Sequence, residues 1–184
     1  MKKKKTLFVN LLAGPGAGKS TTAAKVFGRL KDLDINCELI QEFAKDLTWE
    51  ESHLQLSDQL YVSGQQHFRQ HRLDGKVTVA VTDSPLIVGL LYFNEKDCFL
   101  KQNFERYIAG LFLRQNNANY FIERRKKYNP KGRNQTKAQA IQKDSLCKNL
   151  LDRFEVPYTM IEGTKTVGDT SAEDFIVADI LKRI

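Results

Sequence analysis

The 184-residue sequence predicts an α/β protein, a parallel sheet with helices packed on both faces. Two observations carry that prediction. Short apolar, β-branched runs alternate with stretches of helical periodicity along the whole chain, and a glycine-rich loop joins the first such strand to the first such helix. Crossovers between parallel strands are right-handed, so the carboxyl ends of the strands form one rim on which ligands sit.

The elements follow in order. Thr6-Leu7-Phe8-Val9-Asn10-Leu11-Leu12 is apolar and partly β-branched or aromatic, as a buried strand requires, and Ser20 to Leu30 carries apolar residues at helical spacing. Cys37-Glu38-Leu39-Ile40 is a second strand ending at Gln41-Glu42-Phe43. Residues 49–73 form a polar helical region on the substrate side, where Leu54, Leu56, Leu60, Tyr61 and Phe68 mark an amphipathic helix or helix pair over the site. Val77 to Thr82 is a third strand, closed by Asp83-Ser84-Pro85. Leu86 to Tyr92 and Phe99 to Leu113 are helical, and Asn119 to Ile122 is a fourth strand. A basic stretch follows over 123–135, then a helix from Thr136 to Arg153 and a short fifth strand from Tyr158 to Ile161. Ala172 to Arg183 is a terminal helix capped by Thr170 or Ser171.

Length fits one domain spanning 1–184, without internal repeat or low-complexity linker, and no apolar run approaches the ~20 residues of a membrane span. The first apolar run is too soon broken by glycines for a secretory leader. Cys37, Cys98 and Cys147 are odd in number and scattered, which suits reduced thiols and a cytoplasmic setting. His67 and His71 lie four apart without an accompanying cysteine or carboxylate motif, so they read as part of a solvated or substrate-facing helix. The net charge of +7 favours acidic partners, either nucleotides or nucleic acid. It is concentrated in the basic tail 1–5 and in Arg124-Arg125-Lys126-Lys127 with Lys131 and Arg133.

Ala13-Gly14-Pro15-Gly16-Ala17-Gly18-Lys19-Ser20 follows the pattern G-x-x-x-x-G-K-[ST], with Ala13 in place of the first glycine. Gly14, Gly16 and Gly18 let the backbone wrap phosphate oxygens, Lys19 would reach the β- and γ-phosphates, and Ser20 would place its hydroxyl on Mg²⁺. A nucleoside triphosphate is therefore the expected ligand. Asp83, after the third strand, suits holding Mg²⁺ and also suits capping the next helix. Glu42, after the second, would take a proton from an attacking hydroxyl or orient it, or else stand as a surface carboxylate beside Lys45. The basic stretch suits a lid in which Arg124, Arg125 and Arg133 neutralise the transferring phosphoryl group; a solvated charge run and a nucleic-acid surface are the other readings of the same cations. Phe43, Trp49, Tyr61 and Phe68 include one or two rings placed to stack on a base.

With these residues placed, the chain resembles the P-loop nucleoside and nucleotide kinases, and within them it is similar to the ribosylnicotinamide-kinase-like ATPases frequent in phage genomes. The similarity rests on Leu12 to Thr21, Gln41-Glu42-Phe43-Ala44-Lys45, Thr82-Asp83-Ser84-Pro85 and Tyr128-Asn129-Pro130-Lys131-Gly132-Arg133. The resemblance implies a P-loop NTPase three-layer sandwich with a five-stranded parallel sheet in the order 2-3-1-4-5. It implies ATP and Mg²⁺, bound by the loop from Gly14 to Thr21, with catalytic roles on Lys19, Ser20, Glu42, Asp83 and Arg133, and Gly163 and Thr164 near the adenine. Asp83-Ser84-Pro85 departs from the Asp-Arg-Tyr signature of thymidylate kinases, which argues against that subgroup. The expected activity is transfer of the γ-phosphoryl group to a small nucleoside, nucleotide or nicotinamide riboside-like acceptor. A DNA or RNA hydroxyl as acceptor, and an ATP-driven switch without acceptor, are the alternatives; a phage source and a homodimer are compatible with all three.

Overall fold

In the computed structural model, residues 5–124, 136–162 and 171–184 are described. Five strands, β1 (Leu7–Leu12), β2 (Cys37–Ile40), β3 (Val79–Thr82), β4 (Asn116–Glu123) and β5 (Thr159–Glu162), form one all-parallel sheet in the order β2-β3-β1-β4-β5. The expected order is therefore the observed one. β1 lies at its centre with all six residues buried, as a strand covered on both faces requires. Asn10 is the polar exception: its amide donates to the Asn119 and Asn117 side-chain oxygens at 2.9 and 2.8 Å, so the buried group is satisfied across the β1–β4 ladder.

The helices are α1 (Lys19–Asp32), α2 (Phe43–Trp49), α3 (His53–Ser57), α4 (Gln59–His71), α5 (Cys98–Leu113), α6 (Lys137–Arg153) and α7 (Ala172–Arg183), with a 3-10 helix at Leu86–Tyr92. Thr136 and Gln139 close α6 with a reciprocal capping box, and Ser171 caps α7. The third strand begins at Val79 and not Val77, because the preceding turn is clasped by the buried Thr6 hydroxyl. That hydroxyl donates to Val77 O at 2.7 Å and accepts from Gly75 N at 2.8 Å.

Two expectations for the segment after β2 are corrected. The helical region starts at Phe43, six residues before the expected Trp49, and breaks into three helices. α4 is also turned the other way round from a helix that buries its apolar residues. Gln59, Ser63, Gln66 and Gln70 face inward, while Leu60 and Phe68 are about two thirds exposed. Hydrogen bonds explain how glutamines go inside: Gln66 accepts from Phe43 N, Gln70 donates to Ser84 O, and Gln59 donates to Ser63. α4 thereby acts as a polar brace behind the ends of β2 and β3. No described helix is long and apolar enough to cross a membrane.

Candidate nucleotide-binding and phosphoryl-transfer site

The loop leaves the buried carboxyl end of β1 and enters α1. Gly16 (φ 78°) and Gly18 (φ 106°) take left-handed backbone conformations closed to most side chains. Gly18 also starts α1, its carbonyl accepting from Thr22 N at 3.0 Å. Gly14 is glycine for a different reason. A Cβ there would lie 2.6 Å from Ala140 O and 2.8 Å from Asp144 Oδ1, so its bareness lets α6 press against the loop. Lys19 Nζ donates to the carbonyls of Ala13 and Gly14 at 2.9 and 3.0 Å, which holds the ammonium over the loop.

A cavity of about 210 Å³ opens beside the loop, and Ser20, Glu42 and Asp83 all line it together with Lys45 and Trp49. Three residues separated widely in sequence are thus gathered from the ends of β1, β2 and β3. Glu42 occupies the N-cap position of α2 without making a capping bond, and the first helical N–H, that of Phe43, donates instead to Gln66 of α4 at 3.0 Å. Arg69 holds the same corner by donating to Asp46 at 2.6 Å and to Gln41 O at 3.4 Å. The carboxylate is left to the cavity. Burial pushes the Glu42 carboxyl above the usual carboxylate range, and although the Lys19 ammonium pulls it back, the Asp83 charge adds to the rise.

Asp83 is buried, and its Oδ1 has no hydrogen-bond partner among the described residues. It does not cap the 3-10 helix, whose N-cap position is Pro85. An unpartnered buried carboxylate oxygen and the Ser20 hydroxyl on one cavity are hard oxygen donors, a set that fits Mg²⁺.

Arg124 follows β4 directly and is almost buried. Its Nε and Nη2 donate to Asp144 Oδ2 and Oδ1 at 2.8 and 3.2 Å, and Asp144 Oδ1 also accepts from Gly14 N at 2.6 Å. Arg125, Arg133, Gly163, Thr164 and the basic tail through Lys4 lie outside the described residues. Of the four aromatic residues, Trp49 lines the cavity. Phe43 packs edge-on to Tyr61 with centroids 5.5 Å apart and lies 5.0 Å from the Arg69 guanidinium carbon, while Phe68 is exposed.

Sequence reasoning missed the contribution of α6. Ala140, Asp144 and Cys147 share one face of it, and a carboxylate between two buried small residues at helical spacing was the available signal. Burial pushes the Cys147 thiol up to about 12 against the opposing Lys19 charge, so it stays protonated and serves packing. Lys143 donates to Leu91 O and sits 4.3 Å from the centroid of the Tyr92 ring, tying α6 to the 3-10 helix. A larger hollow of about 270 Å³, lined by His67, His71, Asp74, Arg114 and Gln115, lies where the chain enters β3 and β4, at the rim opposite the loop. Among the described residues no cluster of three or more histidine, cysteine, aspartate or glutamate side chains is arranged to hold a metal ion.

No protein-family model matches this sequence, and no curated protein matches it. Solved structures do resemble it in fold. A thymidylate kinase from Ehrlichia chaffeensis superposes with a TM-score of 0.60 at 12% identity, covering 97% of this chain and 98% of that one. A deoxyadenosine kinase from M. mycoides, solved with bound dATP, superposes with a TM-score of 0.57 at 14% identity, covering 96% of this chain and 98% of that one. At such identities the likeness is one of architecture, and it extends over nearly the whole chain: this protein has the five-stranded parallel α/β fold of nucleotide kinases.

Proposed function

We propose that this protein is a P-loop phosphotransferase that moves the γ-phosphoryl group of ATP to a hydroxyl of a small nucleoside- or nucleotide-like acceptor. The observation that carries the reading is the meeting of Ser20, Glu42 and Asp83 on one cavity beside Lys19. A triphosphate lies along the loop, where backbone N–H groups and the amino end of α1 meet its charge, and Lys19 turns from the Ala13 and Gly14 carbonyls to the phosphates. Ser20 and Asp83 would hold Mg²⁺, which would neutralise charge on the phosphates. The acceptor enters the cavity bounded by Trp49 and Lys45. Glu42 holds its hydroxyl in line with the γ-phosphorus and takes the proton as the new O–P bond forms and the bond from the γ-phosphorus to the bridging oxygen breaks, leaving ADP. Arg124 and Arg133 compensate charge on the transferring group, and the segment that carries Arg133 excludes water.

The likeness in fold to a thymidylate and a deoxyadenosine kinase supports an acceptor of nucleoside or nucleotide type. The test is ADP release from Mg·ATP across nucleosides, nucleoside monophosphates, nicotinamide riboside, and single- and double-stranded DNA. Stimulation by one small acceptor, with its phosphorylated product seen by mass spectrometry, is the expected result, and Lys19→Ala abolishes it. Stimulation by DNA alone, or by nothing, overturns the small-acceptor reading.

A further inference from the structure

Asp144 of α6 lies against the loop, and its role rests on reading that loop as a triphosphate site. Asp144 accepts from the loop at Gly14 N (2.6 Å) and from Arg124 through two guanidinium nitrogens (2.8 and 3.2 Å), with only 17% and 11% of the two side chains exposed. The remaining nitrogen, Arg124 Nη1, is buried without a hydrogen-bond partner among the described residues. The Gly14 carbonyl, on the other side of the same residue, accepts from Lys19 Nζ. A continuous chain of hydrogen bonds thus runs from Arg124 through Asp144 and Gly14 to Lys19. Gly14 itself admits this arrangement, since a Cβ would fill the space that Ala140 O and Asp144 Oδ1 occupy.

We propose that Asp144 is a positioning residue that fixes Arg124 to the phosphate loop, so that its spare N–H is presented to the triphosphate with the guanidinium plane already set. A bidentate carboxylate holds a guanidinium in one plane, which a solvated arginine on a loop does not achieve. The unpaired Nη1 is then a donor kept for a ligand oxygen, because a buried cationic donor left without an acceptor is costly.

The test is a double-mutant cycle read as the Kd of the full chain for a non-hydrolysable ATP analogue with Mg²⁺. Asp144→Asn keeps an oxygen for Gly14 N and removes the charge and one acceptor from Arg124; Arg124→Ala removes the guanidinium. Each single variant weakens binding about tenfold or more, the range of a charge-assisted hydrogen bond, and Asp144→Asn adds nothing in the Arg124→Ala background. An equal loss in both backgrounds, or wild-type affinity in Asp144→Asn, overturns the proposal. If Asp144→Asn does not fold, Asp144→Glu in the same cycle reads the same coupling. In turnover, Asp144→Asn raises KM for ATP and leaves KM for the acceptor unchanged; a lowered kcat with both KM values intact marks a purely structural role and overturns it. The cycle reads ATP binding alone. A protein that binds the analogue but phosphorylates no acceptor refutes the kinase reading and leaves the coupling measurable, whereas one that binds no nucleotide refutes both.

Discussion

Glu42 shows how a single side chain is prepared by its neighbours. Its N-cap position would ordinarily engage the carboxylate with the N–H of the second or third helical residue, but no such bond is made and the group lines the cavity. Burial then raises its pKa, with Lys19 opposing and Asp83 assisting, toward the range of a useful base. Glu42→Gln therefore lowers acceptor-dependent kcat by about 10²-fold or more, the usual worth of a general base, and leaves the Kd for an ATP analogue within about twofold. Because the base acts deprotonated, kcat/KM rises with pH through a limb above the ordinary carboxylate value of about 4.3, and that limb disappears in Glu42→Gln. A limb that survives the substitution assigns the titration to another group. Lys19, Ser20, Glu42 and Asp83 were legible in the sequence because each stands in a local signal, a motif or the end of a strand. Asp144 was not, since its partner Gly14 is 130 residues away and its place between the small residues Ala140 and Cys147 is the one local mark it carries.

The central strands were equally open to reading, since parallel strands buried on both faces, as β1 and β3 are, write continuous apolar runs that turns interrupt, whereas the order of the five came from the family resemblance and not from the runs. The face that α4 buries was not open to reading. Its glutamines go inward because specific acceptors and donors on Phe43, Ser84 and Gln115 await them, a condition set by tertiary structure and invisible to periodicity. Glycines at the level of helices and loops divide in the same way. Gly14 lies at the contact of the loop with α6, where a methyl group meets backbone at 2.6 Å, while Gly28 lies in the middle of α1 with nothing within 4 Å of a Cβ. Gly14→Ala destabilises the protein by about 1–3 kcal/mol, as overpacking does, and loosens ATP-analogue binding. Gly28→Ala stabilises it by about 0.5–1 kcal/mol, because an unopposed methyl in a helix lowers the entropy lost on folding. Urea denaturation of the two variants compares them directly, and a stable Gly14→Ala would show that α6 does not bear on the loop.

At the scale of the whole molecule, the site depends on β1 and β4 staying in register, because one carries the loop and the other ends next to Arg124. α7 fastens that half of the sheet. The buried Tyr120 of β4 donates to Asp179 Oδ2 at 2.6 Å, and Arg183 Nε donates to the same oxygen at 2.9 Å. α7 also reaches α1 through Lys25 and Glu173 at 2.7 Å, so the helix behind the loop and the strand beside it share one clamp. Burial alone would raise the Asp179 carboxyl, but the Tyr120 and Arg183 hydrogen bonds outweigh it and bring the pKa below the usual aspartate value. A carboxyl depressed on folding adds stability that is fully present above its unfolded pKa of about 3.9 and is lost as pH falls through the folded value. Tyr120→Phe removes one of those bonds and costs about 1–2 kcal/mol near neutrality. The cost shrinks toward zero as acid protonates Asp179, which no longer needs the donor. Urea midpoints of wild type and Tyr120→Phe, compared near neutrality and in acid below about pH 3, measure this convergence. A difference that stays constant with pH would place the loss in packing around the ring, and would remove the ionised Asp179 from what holds α7 to the sheet.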